Sequence, residues 1–294
     1  MGSANVFFHL KNNIPGEDCF LNDLDYNMVC LMEAIRDNLV NFKTEYIKYE
    51  FTEKTFYDAL ERYRLNAEEK YKLSPLVCAL DIFYLLHFSY HANKKDFIPY
   101  EPSDTTGERF KNIQRDHFVL PLLPLYKIHC RLENVNISCK DALDFIDNHL
   151  SGKNTLFYID SPYFYSEEVY EVCKSGTDSL SEKPFPHEEL AQKLIDINNS
   201  GNYFVASNRV TVSSTNKKNS RKLSNKLAIE MANKCYSNHG FNYKLIACKN
   251  QNDEDKNQVE ILVSNYPFKD SKTCIEITEA EVNACIASKM TKSP

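Results

Sequence analysis

The sequence predicts an α/β fold with a largely parallel sheet and a helical insertion. After residue 130, apolar runs of strand length alternate with amphipathic helical patterns, which is typical of a parallel sheet covered by helices. Segment 45–130 breaks this alternation, because two helical patterns are followed there by an irregular stretch with prolines at positions 99, 102, 121 and 124. A chain of 294 residues can hold one large domain, or a core domain with an inserted module.

The individual elements follow from local patterns. Residues 5–10 fit either a helix or a strand, and residues 17–25 fit a short strand that ends in polar residues. Helices are predicted over 26–40, 45–65 and 74–88, because apolar residues recur there at helical spacing. The later predicted strands are 125–130, 155–163, 201–208, 243–249 and 259–267, and the later predicted helices are 139–150, 187–200 and 222–240.

Composition and charge limit the classes of protein. The net charge of -6 argues mildly against nucleic-acid binding, although the basic runs 216–226 and 91–95 fit either solvated loops or phosphate contacts. The ten cysteines form no C-x-x-C pair, so zinc-ligand spacing is absent, and they fit reduced residues of a cytosolic protein. No apolar run approaches the roughly 20 residues of a membrane span, so we expect a cytoplasmic protein.

The stretch LFYIDSPYFY, residues 156–165, is the candidate catalytic segment. Asp160 follows an apolar strand pattern, and ligands of open α/β sheets bind at the carboxyl ends of strands. The Asp160 carboxylate and the Ser161 carbonyl can accept the two hydrogens of a base amino group, while Pro162 keeps the backbone rigid. Tyr163 offers a ring on which an extruded base can stack. A strand followed by a simple Asx-type turn is the structural alternative.

The D-S-P-Y sequence is similar to the D-P-P-Y motif of adenine-specific DNA methyltransferases. Segments 19–35, 75–101 and 137–146 match, in the same order, further segments of the Dam-type class of that family. The resemblance implies a Rossmann-like S-adenosylmethionine-dependent methyltransferase sheet with an inserted, mostly helical target-recognition lobe. It places the catalytic domain at 1–44 and 131–294, and the target-recognition domain at 45–130.

The resemblance also implies the function and its partners. We expect a site-specific DNA adenine methyltransferase that uses S-adenosyl-L-methionine, acts on double-stranded DNA and belongs to the restriction-modification type of enzyme. One alternative is a catalytically inactive, truncated relative that acts as a DNA-binding or partner-binding module. Another is methyl transfer to a planar amine or amide of RNA or protein. No metal is expected.

Cofactor and DNA contacts are implied by the matching positions. Asp23 corresponds to the acid that holds the ribose hydroxyls of the cofactor, and Asp141 to an acid near its adenine. Both could instead cap the helices that follow, as could Asp25. The residues expected to contact DNA are His91, Asn93, Lys94 and Lys95, which lie within segment 75–101, and Lys217, Lys218, Arg221 and Lys222 of the later basic run.

Three positions depart from the family pattern. Ser161 replaces the first proline of the D-P-P-Y motif, and His91 stands near the position of an arginine. The sequence resembles the family from inside the Gly-rich cofactor turn onwards, with Gly2 as the last glycine of that turn. We therefore expect the first strand to be missing, cofactor binding by this chain alone to be weak, and a second chain to supply the missing cofactor motif.

Overall fold

The chain divides into two compact units. The first comprises residues 1–142 and 171–181, and the second comprises residues 143–170 and 182–294. The computed structural model describes residues 4–11, 18–69, 73–89, 97, 122–162, 185–211, 230, 232–249 and 257–268.

The first unit holds six helices and two strands in its described part. In chain order they are α1 (Asn5–Leu10), β1 (Cys19–Asp23), α2 (Tyr26–Asp37), α3 (Leu39–Tyr46), α4 (Glu53–Glu69), α5 (Pro75–Phe88), α6 (Leu125–Leu132) and β2 (Val135–Cys139). The two strands pair in parallel, with Cys19 opposite Val135 and Asp23 opposite Cys139. Their carboxyl ends therefore lie at the same edge of the small sheet.

One hydrophobic core joins the helices of the first unit. Met32 of α2, Phe42 of α3, Phe56 of α4 and Tyr84 of α5 are all buried in it. Ser74 caps α5 by accepting from the backbone N–H of Val77, as its sequence position suggests. The described helices of segment 45–130 thus share their core with α2, while the assignment of this segment as an inserted domain stays a prediction.

A buried ion pair connects α4 to α5. Asp81 of α5 is 1% exposed and accepts from Arg62 of α4, with its oxygens 2.8 Å from Nε and 2.6 Å from the terminal nitrogen. The hydroxyl of Tyr49 donates to the same carboxylate at 2.8 Å. Burial raises the pKa of Asp81, against the opposing effect of these donors, and the bond to Asp81 raises the pKa of the Arg62 guanidinium. The carboxylate is therefore satisfied only while α4 stays in place.

The second unit is built on a four-stranded sheet. Its described elements are α7 (Ala142–His149), β3 (Leu156–Asp160), α8 (His187–Asn199), β4 (Tyr203–Thr211), β5 (Asn242–Lys249) and β6 (Asn257–Ser264). The strand order is β3-β4-β6-β5, with β3 parallel to β4 and the other neighbours antiparallel. Phe157, Phe204 and Ile261 of the sheet belong to one core with Leu190 and Leu194 of α8.

Most predicted elements are present within the described ranges, and two predictions are wrong. The helix predicted over 45–65 is interrupted, because residues 47–52 separate α3 from α4. Residues 125–130 were predicted as a strand, but they belong to α6, because Leu125, Ile128 and Leu132 recur at helical spacing and turn toward the core. The strand β2, which follows directly, was not predicted. The mixed α/β class is confirmed. Within the described ranges, no helix is both long and apolar enough to cross a membrane.

The Arg62–Asp81 pair gives a stability prediction. Changing Arg62 to Ala leaves a buried carboxylate with one hydroxyl donor, and we expect the free energy of unfolding to fall by about 3 kcal/mol. Lys48→Ala removes an exposed pair with Glu45 and serves as the control, with an expected loss below about 1 kcal/mol. Urea unfolding followed by circular dichroism measures both. Equal losses would show that the buried pair contributes no more to the free energy of unfolding than the exposed pair.

Candidate active site

The turn after β1 carries two acids with different hydrogen bonds. Asp23 ends the strand, and its Oδ1 accepts from the backbone N–H of Asp25 at 2.9 Å. Asp25 is the N-cap of α2, because its Oδ1 accepts from the backbone N–H of Asn27 at 3.0 Å. Capping by Asp25, one of the alternatives from the sequence, is therefore confirmed, while Asp23 shapes the turn itself.

Asn22 holds the neighbouring loop against this turn. Its Nδ2 donates to the carbonyl oxygen of Lys140 at 3.0 Å, and its Oδ1 accepts from the Lys140 backbone N–H at 3.1 Å and from Ser138 Oγ at 2.8 Å. Asp141 comes next, exposed and directly before α7. The first unit therefore brings Asp23 and the loop of Asp141 to one edge of its sheet.

The thiol of Cys139 is affected by its burial and by the acids at this edge of the sheet. Burial, followed by the charges of Asp23 and Asp25, raises the pKa of its thiol. The thiol also lies 3.5 Å from the carbonyl oxygen of Leu24, to which it donates. A thiol kept protonated in this way is a poor nucleophile, so covalent catalysis by Cys139 is disfavoured.

Two buried side chains of α4 contact the same turn, and sequence reasoning missed them. The hydroxyl of Tyr63 donates to Asp25 Oδ2 at 2.8 Å, and Asn66 Nδ2 donates to Asn27 Oδ1 at 3.0 Å. The available signal was a polar pair at i and i+3 on the face of α4 that also carries the buried Phe56.

The carboxyl end of β3 carries Asp160 in the second unit. Asp160 lies opposite Ser207 in the parallel register, and Ser207 Oγ donates to Asp160 Oδ1 at 3.1 Å. Tyr158 Oη lies 3.3 Å from Ser207 Oγ. Because the single Ser207 proton goes to Asp160, Tyr158 is the donor in this contact. Sequence reasoning missed Ser207, since only strand register brings it to Asp160.

The Asp160 side chain combines exposure with a fixed orientation. The residue is exposed, whereas Ser207 beside it is buried. Ser161 is also buried, and its hydroxyl has no hydrogen-bond partner among the residues described. Pro162 is half-buried. The arrangement presents a carboxylate at a strand end, with one oxygen held from the neighbouring strand.

The other predicted site residues lie outside the described ranges. They are Gly2, His91, Asn93, Lys94, Lys95, Tyr163, Lys217, Lys218, Arg221 and Lys222.

The chain is thus an α/β protein with acidic side chains at the carboxyl ends of its strands. A model of the D12 class N6 adenine-specific DNA methyltransferase family matches residues 1–246, so the chain belongs to that family. The match confirms the resemblance predicted from the sequence and identifies an enzyme that methylates adenine in DNA. A search of curated proteins found no match.

Proposed function

We propose that this enzyme transfers a methyl group from S-adenosyl-L-methionine to the exocyclic amino group of adenine, at a specific sequence in double-stranded DNA. The observation that carries the proposal is the state of the Asp160 carboxylate. Its Oδ1 is held by Ser207, and its Oδ2 has no hydrogen-bond partner within the described part of the chain. One oxygen is thus oriented while the other can accept from a substrate.

The D-S-P-Y residues would act on the amino group. Asp160 Oδ2 accepts one amino hydrogen and the carbonyl oxygen of Ser161 accepts the other, which draws the nitrogen lone pair out of conjugation with the ring. Acceptors that are already oriented need no reorganisation during the reaction. Pro162 restricts the backbone that carries the carbonyl. Tyr163 stacks on the extruded base.

The residues at the edge of the first sheet fit the cofactor. When bound, S-adenosylmethionine supplies the electrophilic methyl group. Asp23 would accept hydrogen bonds from the ribose hydroxyls, since a carboxylate can accept two hydroxyls at once. Asp141, exposed at the same sheet edge, would contact the adenine moiety, and Gly2 would allow close approach of the backbone. The side chains of Asn22 and Asp25 accept from the backbone N–H groups of Lys140 and Asn27, and these bonds fix the loops that carry the acids.

The remaining parts of the proposal concern fold and DNA. A parallel β3–β4 pair next to antiparallel β5 and β6 supports a Rossmann-like methyltransferase sheet, and segment 45–130 would form the target-recognition domain. His91, Asn93, Lys94 and Lys95 would contact DNA from that domain. The basic residues Lys217, Lys218, Arg221 and Lys222 would contact phosphates. The family match favours this enzyme over a module that only binds DNA.

Asp160→Ala tests the proposal directly. We expect methyl incorporation into unmethylated duplex DNA to fall by at least about 100-fold, because an oriented acceptor at the reacting nitrogen is lost. Incorporation of tritiated methyl groups measures the rate, and mass spectrometry of the digested DNA identifies the product as N6-methyladenine. Asp147→Ala, which removes an exposed acid of α7, is the control. Equal incorporation by the Asp160 variant would remove this carboxylate from the mechanism.

Ser207→Ala tests the orientation of Asp160. We expect kcat to fall by roughly tenfold, the size of a hydrogen bond to a charged group, with the KM for the cofactor unchanged. Ser207→Thr retains the hydroxyl and should recover most of the rate. Steady-state kinetics of the three proteins measures both constants. A Thr variant as slow as the Ala variant would point to packing at this position rather than to the hydrogen bond.

Lys94→Glu combined with Lys95→Glu tests the DNA contacts. We expect weaker binding to duplex DNA and a salt dependence of log K that is shallower by about 2, since two phosphate contacts are lost. Fluorescence anisotropy at several salt concentrations measures this slope. Lys153→Glu with Lys234→Glu makes the same change of charge at two exposed positions outside segment 45–130 and outside the basic run 216–226. If both pairs change the slope equally, the effect comes from overall charge and the assignment fails.

A further inference from the structure

The contacts between α4 and the turn after β1 suggest a role beyond packing. We propose that Tyr63, assisted by Asn66, is a positioning residue for the cofactor-binding acid Asp23. The inference rests on the proposed function, in which Asp23 binds the ribose of the cofactor. It assigns to α4 an indirect influence on cofactor affinity, through the turn after β1.

The hydroxyl of Tyr63 fixes the Asp25 carboxylate. Tyr63 is 1% exposed, and its hydroxyl lies 2.8 Å from Asp25 Oδ2. Oδ1 of the same carboxylate accepts from the backbone N–H and from Nδ2 of Asn27, at 3.0 and 3.3 Å. Since the two oxygens have donors from different elements, rotation of the side chain would break at least one of these part-buried hydrogen bonds.

A second contact closes the network from the same helix. Asn66 and Asn27 are both buried, and the Nδ2 of Asn66 donates to the Oδ1 of Asn27 at 3.0 Å. Asn27 therefore donates to Asp25 and accepts from α4. Separating such buried polar partners costs free energy, so the network stabilises the packing of α4 against the first turn of α2.

The effect reaches Asp23 through the backbone. The N–H of Asp25 donates to Asp23 Oδ1 at 2.9 Å, so the position of Asp25 sets the direction from which one Asp23 oxygen is held. The helix that provides this support is itself anchored, because Arg62 of α4 pairs with Asp81 of α5. Tyr63 thus acts on Asp23 through Asp25, without needing to touch the cofactor.

A purely structural role for Tyr63 predicts a different pattern of effects. Tyr84 offers a matched comparison, because it is buried in the same core and its hydroxyl donates to the carbonyl oxygen of Glu50 at 3.0 Å. That acceptor lies between α3 and α4, away from the turn after β1. Removing either hydroxyl costs a part-buried hydrogen bond, but only the change at Tyr63 takes a donor away from the Asp25 carboxylate.

The experiment compares Tyr63→Phe with Tyr84→Phe in the full chain. Isothermal titration with S-adenosylmethionine gives the dissociation constant, and thermal unfolding without cofactor gives the stability of each variant. We expect Tyr63→Phe to raise the dissociation constant by about tenfold, the loss of one hydrogen bond to a charged group. Tyr84→Phe should change it by less than about twofold, at a comparable loss of stability. Similar dissociation constants for the two variants would overturn the inference.

Two further variants separate this inference from the function on which it rests. Asp23→Ala should itself weaken cofactor binding, and Tyr63→Phe added to it should then have no further effect, because the acid that Tyr63 positions is gone. If Asp23→Ala leaves binding unchanged, the proposed role of Asp23 fails. If it weakens binding while Tyr63→Phe does not, only the role of Tyr63 fails. Asn66→Ala provides a second test of the same network, should Tyr63→Phe not fold, and unaltered binding by this variant also counts against it.

Discussion

The hydrogen bonds of the Asp25 carboxylate are the interaction on which the first unit depends. A helix begins with backbone N–H groups that lack partners inside the helix, and Asp25 satisfies one of them at the start of α2. Its other oxygen accepts from the buried Tyr63 hydroxyl. Helices α2 and α4 are thereby connected at the Asp25 carboxylate. The turn that carries Asp23, at the end of β1, is held by the same residue, because the Asp25 backbone N–H donates to Asp23 Oδ1.

In the second unit a carboxylate is also oriented by a hydrogen bond from a neighbouring element, here a strand rather than a helix. Asp160 receives its donor from the neighbouring strand, because parallel pairing places Ser207 opposite it. The position of Ser207 is fixed by the ladder of backbone bonds, and its hydroxyl donates to Asp160 and lies 3.3 Å from Tyr158 Oη. Strand register therefore does for Asp160 what helix packing does for Asp25. In both cases the residue that donates the supporting hydrogen bond, Tyr63 or Ser207, is itself buried.

The sequence predicted what depends on local pattern. The pattern over 187–200 predicts helix α8 (His187–Asn199) to within one residue of its observed end. The apolar run before Asp160 places this residue correctly at the end of a strand. The error at 125–130 arose because a run of six residues is too short to separate helical from strand periodicity, whereas Leu132 completes the helical face. The partners of Asp25 and Asp160 were beyond reach. Tyr63 lies 38 residues from Asp25 and Ser207 lies 47 from Asp160, so only the packing of α4 and the register of β4 bring them together.

The hydrogen bonding of the carboxylates separates acids that are satisfied within the protein from the acid proposed to act on the substrate. Asp81 is almost completely buried and is satisfied by Arg62 and Tyr49, so it has nothing to offer a substrate. Asp25 uses both oxygens within the protein in the same way. Asp160 is exposed and takes one donor from Ser207, which orients the group, and within the described part of the chain its second oxygen has no hydrogen-bond partner. A carboxylate that is held at one oxygen combines the preorganisation that catalysis needs with the capacity to bind, and this combination, rather than acidity alone, favours Asp160 as the catalytic residue.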